Sequence, residues 1–280
     1  MKLDAHQHFW RYNAAEYPWI PRGSPLERDW LPADLAALQQ PLGFDGSIAV
    51  QARQTLAETR WLLELADQHA GIRGVVGWVD LRSPELPAQL REFIRHPKFV
   101  GVRHVVQDEP DDRFLLGAEF LRGLGQLRGF GLRYDLLIFP RQLAAACEVV
   151  ARFPEQPFVL DHLAKPGIKQ RQFEPWTTDL RRLARQPNVC CKLSGLVTEA
   201  HHQAWRESEL IPYLDFAAEV FGPARLMIGS DWPVCLLASS YERTLNAVGD
   251  WARKFTAAEQ AGILGENCAR FYLARHPAEG

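Results

Sequence analysis

Eight short apolar runs recur along the chain, each followed by a stretch with helical spacing. The runs are KLDAHQHF, DGSIAVQAR, IRGVVGWVDL, FVGVRHVV, GLRYDLLIF, PFVLDHLA, VCCKLSGL and RLMIGSDWPV. Helical patterns are expected over Pro32 to Gln40, Thr55 to Ala70, Ser83 to Arg95, Phe114 to Arg128, Arg141 to Arg152, Pro175 to Arg185, Glu209 to Phe221, Tyr241 to Lys254 and Ala257 to Leu273. Thr55 is placed as an N-cap, with Glu58 three residues on in capping-box spacing. Strands that alternate with helices must run parallel, because each crossover carries the chain back to the same end of the sheet. Eight such units in 280 residues match the size of a (β/α)8 TIM barrel. An open doubly wound sheet is the competitor, and it brings a Gly-rich phosphate turn after its first strand. Here that turn reads His-Gln-His-Phe-Trp. No internal repeat, Gly/Ser linker or low-complexity segment breaks the pattern, so residues 1–280 are expected to form a single barrel domain.

Composition narrows the partners. The formal net charge is -2, with no long run of one sign. Nucleic acid and membrane surfaces both call for a basic patch, so neither is an expected partner. The hydrophobic share of 47% supports a large core. The five cysteines are odd in number and contain no CxxC pair; they read as packed free thiols in a reducing compartment. The N-terminus has no apolar leader, and no apolar run approaches a membrane span. A cytoplasmic protein is expected, and a homo-oligomer is compatible with the sequence.

In such a barrel, chemistry gathers at the C-terminal ends of the strands. Those ends carry His6 and His8; Gln51 and Arg53; Trp78 and Asp80; Arg103 and His104; Tyr134 and Asp135; Asp161 and His162, then Lys165; Lys192 and Ser194; and Ser230 and Asp231. A lone strand-end His is more often structural than functional. A His-x-His pair differs, because the two-residue period puts both rings on one face. Asp4 shares that parity one layer deeper. It could orient a ring, as carboxylates behind metal ligands do, or simply tie strand ends. Asp231 ends an apolar strand, where an unpaired carboxylate is expensive; beside histidines it suits a general base. A helix N-cap or a loop salt bridge is its plain alternative.

Alternation also puts Asp161 and His162 on opposite faces. The site is assigned His162, nearer the strand's end. Arg103 and His104 pose the same choice, which alternation leaves open. His69, His96, His201, His202 and His276 are read as surface residues. Trp10, Trp19 and Trp30 either wall a pocket or form satellite core.

DAHQH, GVRH, LDHLAKP, KLSGL and GSDWP, in this order over the whole chain, resemble the amidohydrolase superfamily. Within it they resemble the lactonase branch, and most of all the sugar-acid lactonases of L-fuconolactonase and L-rhamnonolactonase type. The resemblance implies that His6, His8, His162 and Asp231 occupy the catalytic positions, with Asp231 handling the hydrolytic water. The dinuclear members also need a bridging Lys or Glu on strand four and a His on strand five. This chain has Arg103-His104 and Tyr134-Asp135 there, which speaks against two metals. One divalent ion, Zn²⁺ on His6, His8 and Asp231 or a subset, remains open; some lactonases of the branch need none.

The expected substrate is therefore a small-molecule sugar-acid lactone, opened to its aldonic acid. Gln51, Arg53, Arg103, His104 and Tyr134 are the candidates for binding its hydroxyls or a carboxylate. Three alternatives stand beside this reading. One is a lactonase for 2-pyrone-4,6-dicarboxylate or a muconolactone, which would want several converging arginines, from Arg53, Arg103 and Arg133. The second is a metal-dependent decarboxylase. The third is a non-catalytic sugar-acid binding protein.

Overall fold

The computed structural model describes residues 1–274; His276 lies outside them. The eight expected strands all form: β1 (Asp4–Gln7), β2 (Ser47–Val50), β3 (Ile72–Gly77), β4 (Phe99–Val105), β5 (Arg133–Leu137), β6 (Phe158–Leu160), β7 (Val189–Leu193) and β8 (Leu226–Ile228). They are parallel throughout and paired in sequence order. A parallel bridge between Gln7 and Trp232 brings the last strand's end back to the first. The backbone N–H of Asp231 donates to His6 O at 2.8 Å, and that of His8 to Trp232 O at 2.7 Å. The arrangement is the TIM barrel that strand counting implied.

Among the described residues, ten α-helices accompany the strands: α1 (Pro32–Gln39), α2 (Leu56–Gln68), α3 (Leu86–Phe93), α4 (Ala118–Leu124), α5 (Leu143–Arg152), α6 (Trp176–Ala184), α7 (Leu196–Glu199), α8 (Glu207–Phe221), α9 (Tyr241–Ala252) and α10 (Ala257–Ala261). Local chemistry sets several starts. Thr55 Oγ1 accepts from the Glu58 N–H at 3.1 Å, the cap expected for α2. Ser240 caps α9 in the same way, and Pro32 occupies the first turn of α1.

The helix expected over 257–273 forms, but with a kink at Gly265 (φ 168°, ψ -34°) and widened turns in place of regular α geometry beyond Ala261. After α10 the chain passes into π-type turns at Gly262–Glu266 and Ala269–Leu273. Its role is to close the barrel floor. Leu3 N–H donates to Leu264 O at 3.0 Å. A Cβ on Gly265 would lie 2.5 Å from Leu3 N, so only glycine allows this approach.

The core has two layers. One large cluster fills the space between sheet and helices. A smaller one, including Leu3, Ala5, Ile48, Val76, Val159, Met227 and Tyr272, fills the lower barrel. Cys190 and Cys191 divide between them as period two requires. All five cysteines are free. No helix among the described residues is long and apolar enough to cross a membrane.

Asp4 ties the first strand to the last. Its Oδ1 accepts from the N–H of Ser230 (2.9 Å) and of His6 (3.1 Å). Its Oδ2 accepts from the hydroxyls of Ser230 (2.6 Å) and Tyr241 (3.2 Å). It touches no imidazole nitrogen in these contacts, so its structural reading holds and its ring-orienting one does not. The register between β1 and β2 shifts between Asp4 and Gln7, which spoils the simple parity argument. Burial raises the Asp4 carboxyl to about 6, against the pull of its Ser230, His6 and Tyr241 bonds. Asp4→Ala strands four donors at the closure. Chemical denaturation should show a loss of roughly 2–4 kcal/mol; a change under 1 kcal/mol would refute the closure role.

Candidate active site

Four expected residues converge at the C-terminal mouth of the barrel. His6 Nε2 lies 3.1 Å from His8 Nε2. Asp231 Oδ1 is 3.3 Å from His8 Nε2, 3.8 Å from His6 Nε2 and 3.8 Å from His162 Nε2. The His6 and His162 rings are 4.4 Å apart. His8 comes to the cluster by strand period, but His162 and Asp231 arrive differently. β6 stops at Leu160 and β8 at Ile228. From His162 to Lys165 four consecutive residues take positive φ, 53–58°, and Asp231 does so at 56°. Left-handed backbone costs a non-glycine residue about 1–2 kcal/mol. Its effect here is to turn His162 and Asp231 over the barrel mouth. The His162 ring then packs over Gly195, itself at φ +65°, where a Cβ would lie 2.6 Å from the ring. Ser194 Oγ fixes the ring at Nδ1, 2.8 Å away.

That turn corrects one expectation. Alternation predicted only one of Asp161 and His162 at the site; both are there, because neither belongs to the strand. Asp161 sits beneath the histidines. Its Oδ2 accepts from Arg103 Nη1 at 3.0 Å. Its Oδ1 lies 2.9 Å from Lys192 Nζ and 3.3 Å from His6 Nδ1. Lys192 Nζ also donates to Asp135 Oδ2 at 2.6 Å and approaches His6 Nδ1 at 3.2 Å. Tyr272 OH donates to Asp135 at 2.7 Å. Lys192, Asp135 and Asp161 are fully buried and Arg103 nearly so. Two cations face two anions, so the buried group is neutral overall.

Asp135, Asp161 and Lys192 were visible at strand ends but not chosen for the site. The signal was available: a Lys inside the apolar run VCCKL must find an opposite charge. Removing one member of a buried ion pair costs roughly 3–5 kcal/mol. Lys192→Met should destabilise by that amount in chemical denaturation; a loss under 1 kcal/mol would show that the network contributes little.

The substrate-binding candidates separate. Arg103 faces inward and Arg53 lines the cleft above it. His104 points the other way, stacked on Phe114 at 4.9 Å with Nε2 2.7 Å from Glu109 Oε1. Tyr134 also points away, packed between Phe120 and Phe158 in the sheet–helix core. Period two explains both, since Arg103 and Asp135 take the inward positions. Gln51 is buried behind Arg103, whose Nη2 donates to Gln51 O at 2.5 Å and Oε1 at 3.3 Å; it is not among the cleft-lining residues. Arg133 starts β5 at the opposite end of the barrel and bonds to Phe271 O and Ala274 O. Of the histidines read as surface residues, His201 and His202 are exposed, and His69 and His96 partly so.

The cleft measures about 790 Å³ and is walled by His8, Arg103, His162 and Asp231 below, and by Glu16, Trp19, Arg53, Val105, Glu109 and Val234 among others above. Arg53 Nη1 is paired with Glu16 at 2.7 Å. Glu16, Asp108 and Glu109 carried no strand signal and escaped sequence reasoning as site residues, whereas Trp19 takes the pocket-wall alternative offered for it.

Electrostatics assign protonation. Burial pushes the Asp231 carboxyl up, but His162, His8 and His6 outweigh it and hold it well below the usual carboxylate range. Burial lowers His162 to about 4, against the pull of Asp231 and Asp161. Burial also lowers His6, with Asp161 opposing and Lys192 assisting. The arrangement at neutral pH is thus an ionised carboxylate with neutral imidazoles at His6 and His162.

The donor set suits a metal ion. His8 Nδ1 lies 2.8 Å from Val50 O; donating there leaves Nε2 bare and aimed at Asp231 and His6. His6, His8 and Asp231 each offer one ligand atom within a common small space. Their separations of 3.1–3.8 Å bracket the edge of a tetrahedron with bonds of ~2.0–2.1 Å, about 3.4 Å. These three fit one ion. His6, Asp161 and His162 form a second group, but it shares His6, and Asp161 is already held by Lys192 and Arg103.

Residues 3–273 match the amidohydrolase family pattern, and the chain belongs to that family. It is 45% identical to an L-fucono-1,5-lactonase of Burkholderia multivorans, over 100% of this chain and 98% of the relative. A solved amidohydrolase structure from Burkholderia multivorans with bound zinc superposes with a TM-score of 0.93 at 46% identity, covering 98% of this chain and 99% of that one. A 2-pyrone-4,6-dicarboxylate hydrolase of Comamonas testosteroni is more distant, 25% identical over 82% of this chain and 76% of the relative.

Proposed function

We propose that the chain hydrolyses a sugar-acid lactone of the L-fucono-1,5-lactone type to its free aldonic acid. The observation that carries this reading is the carboxylate of Asp231 with imidazole nitrogens of His6, His8 and His162 3.3–3.8 Å from its Oδ1, on the floor of a cleft whose arginines are already paired. The 45% identity to an L-fucono-1,5-lactonase supports the substrate class. Asp231 Oδ1 makes the contacts with His6, His8 and His162, which leaves Oδ2 to take a proton from water. The resulting hydroxide adds to the lactone carbonyl. His162, whose Nδ1 accepts from the Ser194 hydroxyl at 2.8 Å and so leaves the proton on Nε2, lies where that N–H stabilises the oxyanion. The acyl–oxygen bond of the ring then breaks, and Asp231 returns its proton to the departing ring oxygen. The product is the open hydroxy acid.

His6, His8 and Asp231 would hold one divalent ion, zinc by donor type. Bound there, it supplies Lewis-acid polarisation of the carbonyl and acidifies water. Elemental analysis after zinc loading should give close to one ion per chain, and His8→Ala should lose it. Stoichiometric zinc retained in His8→Ala would refute the assigned ligands.

A dicarboxylate lactone is disfavoured. Arg103 is committed to Asp161 and Arg53 to Glu16, while Arg133 lies at the barrel's other end. Glu16, Asp108, Glu109 and Asp231 line the cleft against Arg53, Arg103 and Lys165, a poor field for two carboxylates. A cytoplasmic setting is also proposed, supported by the five unpaired thiols.

The test is a pH-indicator screen of sugar γ- and δ-lactones, with spontaneous opening subtracted and carbon dioxide measured in parallel. Acid release without carbon dioxide is expected. Binding without turnover would favour a binding protein, and carbon dioxide release a decarboxylase. Asp231→Asn should lower kcat by about 10²–10⁴-fold. A folded variant with near-normal turnover would sink the base assignment.

A further inference from the structure

We infer that Trp19 is a specificity-determining residue that forms an apolar platform for the ring of the bound lactone. This rests on the functional reading above and names which part of the cleft reads the sugar. Most tryptophans of the chain are buried, but Trp19 is 41% exposed and lines the cleft. Exposed large apolar surface inside a cleft is the informative kind, because leaving it in water has a cost that a ligand can relieve.

The indole is held in place from behind. It meets the buried Trp10 edge-on at 5.5 Å and 87°, and Tyr17 at 6.5 Å and 74°. Trp10 is itself fixed. Its Nε1 donates to Arg28 O at 3.0 Å, and its backbone pairs with Trp30 through bonds of 3.0 and 2.9 Å. Trp10 follows His8 by two residues, so one short segment joins the platform to the catalytic floor. Rigid backing matters, since a side chain already ordered loses little entropy on binding.

The surroundings define what fits. Ala52, Val105, Leu137 and Val234 add apolar wall, while Glu16, Arg53, Gln54 and Gln107 supply hydrogen-bonding groups. A pyranose-sized lactone has this division: C–H groups on its faces and hydroxyls at its edge. Its weakly positive C–H hydrogens suit the negative face of an indole. The rim pair of Glu16 and Arg53 offers an acceptor and a donor side by side, 2.7 Å apart, which suits neighbouring hydroxyls.

Such a contact is made equally by substrate and transition state, so it acts on KM and not on kcat. With a sugar δ-lactone turned over by the unmodified protein, Trp19→Ala should raise KM at least fivefold, in the range of roughly 5- to 20-fold, with kcat changed less than threefold. At 1.4 kcal/mol per tenfold, that is about 1–1.8 kcal/mol. Trp19→Phe should recover at least half of the loss on a logarithmic scale, and Trp19→Leu should not. The control is Phe173→Ala, an exposed aromatic stacked on Tyr213 and absent from the cleft lining; it should leave KM unchanged.

A KM shift below fivefold, a loss confined to kcat, or full recovery by Leu overturns the platform. Absence of turnover of every sugar lactone by the unmodified protein overturns the functional reading itself, and this inference with it. The two failures are distinguishable because the second is seen before any variant is made.

Discussion

Four charged side chains, Arg103, Asp135, Asp161 and Lys192, occupy the middle of a barrel that water does not reach. Their mutual distances of 2.6–3.0 Å are what make that burial tolerable. The site above depends on them. Asp161 and Lys192 approach the same His6 nitrogen from the floor of the cluster, and Arg103 spans from Asp161 to Gln51 at the end of β2. Below this layer the barrel fills with aliphatic side chains; above it the histidines meet the cleft. The network therefore marks the boundary between a packed core and a reactive mouth.

Much of this was legible in the sequence because parallel strands in a barrel repeat a simple rule. Eight apolar runs located the eight strands, but period two left Arg103 and His104 unsorted until the structure placed Arg103 on Asp161 and His104 against Phe114. The rule failed where strands end early. Asp161, His162 and Asp231 lie beyond β6 and β8, in backbone with positive φ that no alternation pattern describes. Asp4 failed for a related reason, a register shift in β1. Arg133 and Arg103 looked alike as strand arginines, yet one opens its strand and the other lies near the end of its own. Axial position, not residue type, separates a barrel-floor anchor from a site residue.

Loops were the least legible part. Glu16, Trp19, Asp108 and Glu109 shape the cleft, but their segments have neither helical nor strand period. Residues that recognise a substrate from loops positioned by a rigid scaffold carry no periodic signal. Lys192 is the opposite case. Its apolar context announced burial, and burial of a cation announces partners. Charge balance would have found Asp135 and Asp161 where periodicity alone did not.

His6 Nδ1 shows how one set of atoms accommodates two proton arrangements. When Nδ1 carries the proton, it donates toward Asp161 Oδ1 at 3.3 Å, and Nε2 is left bare beside His8 and Asp231, as a cation requires. When Nδ1 is bare, it accepts from Lys192 Nζ at 3.2 Å; Nε2 then carries the proton and donates to His8 Nε2 at 3.1 Å, cross-linking the rings without an ion. Neither arrangement changes the charge of the buried network, because only a tautomer differs. The donor that lets the ring keep its place without a metal is Lys192, on β7. Holding His6 from both sides therefore separates two demands that a metal site usually joins: the geometry of the cluster and the occupancy of its centre.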